Sequence, residues 1–490
     1  MNGMVKVMKV KQLLKKHPEV VIKGSKEVEI TGITSESQIV APGNLFVAKH
    51  GKKFDGAAFI PQAVRAGAVA ILCDMYDPSL QNVVQLIHPD IASIEAGLAA
   101  TLYDFPAKKL WMAAVTGTNG KTTTTYAIRH VLEQQGVPCG LIGTIEYFVG
   151  QKQYTASHTT PDVCKMQRLL QEMCQNECKA CVMEVSSHSL AQARVAAIEY
   201  DVAVFTNLNH EHLDYHGTME RYFEAKSLLF QALPKSAKAI INNDDPWAER
   251  FIKVSSAPVI TYGFQKEADL LATNIQITPQ GSSFLVSYKQ KEELFSWPLV
   301  GRFNVSNALA TIGALLARGH SLQEIAKALR SFHTVSGRLE VVENNRGIYI
   351  FVDYAHKAEA LKKVLEALRE IGTNRIITVF GCGGDRDREK RPMMAAIAEK
   401  LSDSTVVTSD NPRSEDPGQI IKEIVAGFSD LGKYSVEPDR KEAIAKAIAM
   451  AKPGDIVLIA GKGHEKKQLF SNRTIDFDDK MIAWECANAK

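Results

Sequence analysis

Long apolar runs are missing from this chain. No segment of its 490 residues reaches the roughly 18–20 apolar residues that a membrane-spanning helix needs. The opening stretch MNGMVKVMKVKQLLKKHPEV is basic but has no continuous apolar core, so it reads as neither a secretory signal nor a membrane span. An excess of one charge is missing too. The 58 basic residues against 55 acidic ones, net +3, give no electrostatic argument for nucleic acid as a partner. Cysteine is sparse, with eight residues scattered along the sequence. Cys174, Cys178 and Cys181 come closest together, but a zinc site needs a fourth ligand and a knuckle-like loop. Cys174 and Cys178 are instead expected on a helix and Cys181 at the start of a strand, as reduced, buried thiols. There is no internal repeat and no low-complexity tract. Without an export signal or a disulfide framework, a cytoplasmic address is expected. A monomer with small-molecule substrates, and no nucleic-acid or membrane partner, is expected beside it.

What is present is the composition of an ordinary globular protein, 45% hydrophobic and 23% charged. At this length two or three domains are expected. Up to about residue 108 the pattern is of short strands and helices. APGNLFVAK is a turn entering a strand, AAFIPQAVRAGAVAILCD a helix, a glycine stop and a strand, and DFPAKKL a linker. Strands and helices then alternate. WMAAVTG, KACVMEVSSHS and YDVAVFTNLNHEH are apolar strands with polar ends, and KTTTTYAIRHVLEQQG is a helix. A second such series begins near VSGRLE, with GIYIFVDYAH, NRIITVFGCGG, DSTVVTSDNPR and GDIVLIAGKGHE as its strands. Apolar strands alternating with helices imply parallel sheets covered on both faces, with ligands at the carboxyl edge. The fold expectation is therefore α/β with three domains. These are a small mixed α/β domain over 1–108, a central P-loop domain with a parallel sheet over 109–336, and a dinucleotide-fold-like α/β domain over 337–490.

The stretch VTGTNGKTT leaves a strand and enters a helix. Gly117 and Gly120 permit a tight turn, and the amides from Gly117 through Thr118, Asn119 and Gly120 to Thr123 can face an anion. Lys121 supplies a charge for β- and γ-phosphates, and Thr122 a hydroxyl for magnesium. The loop is shorter than the common Walker pattern, because Val115 stands where the first glycine would. Glu184, at a strand end, is a second candidate magnesium ligand. TNLNHEHLDYHG adds Asn207, His210, His212, Asp214 and His216, but magnesium rarely takes imidazole, and a polar loop of solvated histidines is the plainer reading of these residues. Lys226, beside Glu224 in EAKSLLF, reads by itself as a solvated helix lysine.

TGTNGKTT, HTTPD, MEVSSHSLAQARV, TNLNHEHLDYHGTMERYFEAKSLLF, NNDD, GRFNVSNALA, SGRLE, DYAHK, GCGGDRDREKRP, SDNPR and AGKGHE occur in this order. Together they resemble the Mur ligase family of peptidoglycan synthesis over essentially the full chain. The resemblance implies an ATP-dependent ligase that adds meso-diaminopimelate to the D-glutamate of a UDP-linked muramoyl dipeptide through an acyl phosphate. It implies two magnesium ions, held by Thr122, Glu184, His212 and a carbamate formed from Lys226 and carbon dioxide. Lys121, Glu184, His212 and Lys226 are then catalytic. Asn304, Arg338, Asp353 and His356 join the loop in binding ATP. The muramoyl dipeptide falls to Thr159, Thr160, Ser186, Gln192, Arg194 and, in TSESQ, Ser37, with Lys52 and Lys53 of GKKFDG behind it. Diaminopimelate differs from lysine by one carboxylate, and its expected contacts are Arg386, Asp410, Asn411, Pro412, Arg413, Gly461 and Glu465. Arg413, which lysine-adding relatives lack, would be left unpaired by lysine. The competing readings are a lysine-adding ligase of the same family, a P-loop NTPase or kinase of another class, and a dinucleotide-dependent oxidoreductase suggested by GCGGD.

Overall fold

The apolar runs become strands whose polar ends gather at the sheet edges. The computed structural model describes residues 7–50, 55–372 and 375–489. Lys52 and Lys53 lie outside the described residues. The chain divides into one unit of Met1–Leu270 with Ala310–His320, and another of Leu271–Leu309 with Ser321–Lys490.

The first unit opens with a five-stranded sheet in the order Val21–Lys23, Val84–Ile87, Ala70–Cys73, Asn44–Val47, Gly32–Thr34, parallel except for its first pair. DFPAKKL is no loose linker. Pro106–Lys109 is a short helical turn, and Pro106, Ala107 and Leu110 are buried. A larger sheet follows. Its parallel strands run Cys139–Ile142, Ala180–Glu184, Trp111–Thr116, Val202–Phe205, Lys238–Asn242, Val259–Gly263. Glu146–Val149 and Lys152–Thr155 extend it as an antiparallel edge. The chain lays strands first on one side of Trp111–Thr116 and then on the other. The loop after that strand therefore opens at a switch point of the sheet, where ligand crevices form. Cys174 lies on the helix Val163–Gln175 and Cys181 in the strand Ala180–Glu184. Cys178 falls past the helix end, a correction to its expected helical place.

In the second unit the strands Gly281–Tyr288 and Lys291–Trp297 pair antiparallel beside Leu270–Thr278. These strands are not among those expected from the sequence. A six-stranded sheet follows in the order Glu340–Val342, Tyr349–Asp353, Ile456–Ala460, Ile376–Phe380, Ser404–Val407, Tyr434–Val436, parallel except for its first pair. DYAH, GCGGDRD, SDNPR and AGKGHE all leave the carboxyl ends of its strands. Among the described residues no helix is long and apolar enough to cross a membrane.

Candidate active site

The phosphate loop is built from beneath. Gly117 has φ +147°, and a Cβ there would stand 1.9 Å from the Thr206 hydroxyl. Only glycine lets the loop settle that closely onto the neighbouring strand end. Thr206 donates its hydroxyl to the Asn119 carbonyl at 2.6 Å. The Asn119 amide donates to Asn207 Oδ1 at 2.9 Å, and Asn207 Nδ2 returns a bond to the Asn119 carbonyl at 3.1 Å. The Thr118 amide donates to the Asn207 carbonyl at 2.8 Å. A further layer supports this one. Asn242 donates to the Thr206 carbonyl, and Asp245 accepts from the Leu208 amide. The helix Lys121–Gln134 starts at Gly120, which has φ +85° and supplies no side-chain cap. Its first amides are therefore left for an anion. The four threonines that follow Lys121 are β-branched and poor helix formers. All four are buried against the sheet, so packing rather than propensity holds this first turn.

Two lysines converge on the loop. Lys121 Nζ donates to the Gly117 and Thr118 carbonyls, both at 2.9 Å. Lys226, on the helix Met219–Gln231, donates to the same Gly117 carbonyl at 3.0 Å and reaches the Thr116 hydroxyl at 3.4 Å. The solvated reading of Lys226 is overturned, since it is 1% exposed. Burial foremost, and then the nearby positive charge of Lys121, hold its ammonium well below the usual lysine range, while Glu211 pulls weakly the other way. Its Nζ lies 4.8 Å above the ring of Tyr222, whose hydroxyl meets the Thr118 hydroxyl at 3.3 Å. The His212 ring approaches the same tyrosine edge-on at 6.2 Å. His212 is exposed and begins the helix Leu213–His216 with φ +58°. His216, by contrast, is buried against the Ser187 hydroxyl at 3.0 Å, which corrects the picture of a wholly solvated histidine tip.

Glu184 is fully buried at the end of the strand beside Trp111–Thr116, in register with Val115. Its carboxylate and the phosphate loop thus share one sheet edge. Thr144 holds it at both oxygens, with its amide donating to Oε1 and its hydroxyl to Oε2, each at 2.9 Å. The Thr144 hydroxyl also meets that of Thr159 at 3.1 Å. Thr160 donates to the Glu184 carbonyl and accepts from the Ser186 amide. Arg194 donates to the Thr160 carbonyl at 2.9 Å and, through Nε and Nη2, to Gln192 Oε1. Thr159, Thr160, Ser186, Gln192, Arg194 and Glu184 therefore form one connected set. Ser37 stands apart, bonded to Gln62 at 2.9 Å.

In the second unit Asn304 is buried in the first turn of the helix Arg302–Arg318, donating to the Val300 carbonyl and accepting from Asn307. Asp353 accepts from the Leu339 and Ala355 amides, and burial raises its pKa. Arg338 lies over the Tyr354 ring, makes no ion pair among the described residues, and keeps a buried Nε without a hydrogen-bond partner. Burial lowers the pKa of His356 and takes that of His464, near the same tyrosine, to about 4. Asp410, Asn411, Pro412 and Arg413 form one turn. Gly461 lies against Asp410, and Asn411 donates to Glu465 at 2.7 Å. Arg413 donates to the Gly384 carbonyl at 2.8 Å, and exposed Arg386 to that of Asp385 at 3.0 Å.

Models of known families match the chain in three stretches. The Mur ligase family catalytic domain covers residues 29–109, the Mur ligase middle domain 115–315 and the Mur ligase glutamate ligase domain 337–463. A UDP-N-acetylmuramoyl-L-alanyl-D-glutamate–2,6-diaminopimelate ligase of Gloeobacter violaceus is 45% identical over 95% of each chain. The chain belongs to the Mur ligase family. A ligase of the same name from Geobacillus thermodenitrificans is 43% identical to this Mur ligase over 97% of its chain and 98% of the relative. A solved structure of another so named superposes with a TM-score of 0.72 at 32% identity, covering 98% and 99% of the two chains.

Sequence reasoning missed four residues of this Mur ligase that the geometry brings forward: Thr144, Tyr222, Arg391 and Lys462. Arg391 is fully buried and pairs with Glu415 and Glu423. Glu415, its pKa lowered to about 2 chiefly by Arg391, accepts from the Asp385 amide, which fixes the loop carrying Arg386. Among the described residues no three His, Cys, Asp or Glu side chains gather as a metal site. The candidate donors are of another kind. The Thr122 hydroxyl and the Glu184 carboxylate are buried oxygens, the ligand type magnesium prefers. Lys226 fits only once its amine carries oxygen.

Proposed function

We propose that this Mur ligase adds meso-diaminopimelate to the D-glutamate of UDP-N-acetylmuramoyl-L-alanyl-D-glutamate at the expense of ATP. The observation that carries the proposal is the meeting of Lys121 and Lys226 on the Gly117 carbonyl, at the mouth of an uncapped helix. A carboxylate is a poor acyl donor. Phosphorylation gives it a leaving group, but it must approach an anionic triphosphate, and cations have to lie between the two. Lys121 is placed to leave its two carbonyls for the phosphates as ATP arrives. The loop amides take the remaining oxygens.

Thr122, Glu184 and His212 are the residues proposed to hold magnesium, together with Lys226 as a carbamate. Bound there, magnesium would offset phosphate charge. Burial and the neighbouring Lys121 charge favour the unprotonated Lys226 amine, the form that attacks carbon dioxide. The carbamate would form with release of one proton and carry a single negative charge shared by two oxygens. Asn304, Arg338, Asp353 and His356 are assigned to ATP. Thr159, Thr160, Ser186, Gln192, Arg194 and Ser37 are assigned to the muramoyl dipeptide, with Arg194 offering its guanidinium to a carboxylate or phosphate. The division into substrate, ATP and amino-acid domains at 1–108, 109–336 and 337–490 belongs to the same proposal.

The choice of diaminopimelate rests on Arg413 and Arg386 as partners for its extra carboxylate, and on Glu465 for its distal ammonium. Phosphate release from ATP tests this directly. Release should require both the muramoyl dipeptide and an amino acid, and should run much faster with meso-diaminopimelate than with lysine. Equal rates would reject the selectivity, and hydrolysis indifferent to the dipeptide would reject the ligase. Arg413→Ala should raise KM for diaminopimelate roughly 10- to 100-fold, the worth of one or two charge-assisted hydrogen bonds, and leave KM for ATP nearly unchanged. The reverse pattern would remove Arg413 from the amino-acid site.

A further inference from the structure

Lys462 sits at the end of the strand Ile456–Ala460, in AGKGHE, and is wholly buried. A buried lysine needs partners for its charge and for every N–H. Three oxygens face its Nζ: the Lys467 carbonyl at 2.6 Å, Asn411 Oδ1 at 3.2 Å and Glu465 Oε2 at 3.4 Å. They match the three donors of an ammonium group. Each belongs to a different segment, namely the hairpin strand Lys467–Leu469, the SDNPR turn and the AGKGHE loop. Asn411 Oδ1 accepts a second bond, from the Leu469 amide at 3.0 Å. With its oxygen occupied twice, the Asn411 amide has one orientation, and its Nδ2 is turned to Glu465 at 2.7 Å. The same hairpin strand is stitched to the turn by Gln468, which donates to the Asp410 carbonyl, and by the Arg413 amide, which donates to the Leu469 carbonyl.

We infer that Lys462 is a positioning residue of the amino-acid site, fixing Asn411 and Glu465 in the orientations that receive the incoming amino acid. It acts from behind these two side chains and does not touch the substrate. The inference deepens the diaminopimelate reading above and rests on it. Without the ammonium, the Asn411 oxygen keeps only the Leu469 amide to hold it, and Glu465 loses the cation beside its carboxylate.

Steady-state kinetics of the full-length Lys462→Met enzyme, with ATP, muramoyl dipeptide and meso-diaminopimelate each varied, test this. KM for diaminopimelate should rise about 10-fold or more, the scale of a lost charged hydrogen bond. The kcat and the other two KM values should stay within about two-fold, a change too small to signal loss of an interaction of that strength. An unchanged KM for diaminopimelate overturns the inference, and so does a fall in kcat with no such split, which is what loosened folding gives. If Lys462→Met shows no cooperative melting, Lys462→Gln keeps donor hydrogens at the same point. It should show the same split with a smaller rise, and an unchanged KM there also overturns the inference. The wild-type enzyme separates the two levels. If it does not turn over diaminopimelate, both readings fall. If it does, and the variant matches it, only the role of Lys462 falls.

Discussion

Lys226→Ala is expected to lose at least about 10²-fold in kcat, the cost of removing one charge-stabilising group from a transition state, with part of the activity returning when formate or acetate is added. The reason lies in the surroundings of the side chain. Its amine is buried, shares a carbonyl with Lys121, and is held below the lysine range by burial and by that neighbouring charge. A small carboxylate entering the space left by the deletion would restore anionic oxygen where the carbamate is proposed. A fully active variant would take Lys226 out of the chemistry. The same burial carries a stability consequence of definite sign. The native pKa lies below that of the unfolded lysine, near 10.4, so unfolding takes up a proton between the two values and stability rises with pH across that window. At neutral pH the unmodified amine is a burden on the fold. Lys226→Met, measured in carbonate-free buffer at pH 7, should melt higher than the wild type while being far less active.

Glu184→Gln is expected to reduce kcat by about 10²- to 10³-fold, again on the scale of one electrostatic contact in the transition state. Both carboxylate oxygens accept from Thr144, one from its amide and one from its hydroxyl. A glutamine must present its NH₂ to one of these donors, so the change removes a charge and also breaks the geometry. Leaving a buried donor unmade costs about 1–3 kcal/mol, and a modest fall in melting temperature should accompany the loss of rate. Raising magnesium should recover some of the rate and none of the stability. A variant whose rate does not respond to magnesium would separate Glu184 from metal binding.

The phosphate loop, the strand ends and the alternation of strand and helix were legible because their signals are local. Glycines at a strand-to-helix junction, a lysine and threonines say what they do within nine residues. Thr144 was not legible, because its partner Glu184 is 40 residues away and nothing in GLIGTIEY marks the threonine. Lys226 was misread because its charge suggests solvent, although Tyr222, Phe223, Leu229 and Phe230, three or four residues to either side, put it in the middle of the buried helix face. The antiparallel strands between residues 270 and 297 carried a readable alternation. Leu270–Thr278 is buried at every second position at its start and exposed at every second one toward its end. Lys462 was not legible because its partners Asn411 and Lys467 come from other segments.

The ties from Thr206 and Asn207, reinforced by Asn242 and Asp245, are all made within the polypeptide and owe nothing to a nucleotide. An arriving triphosphate meets a loop already tied in place, so docking forfeits little chain entropy. More of the binding energy is then free for drawing the Lys121 ammonium away from its own backbone.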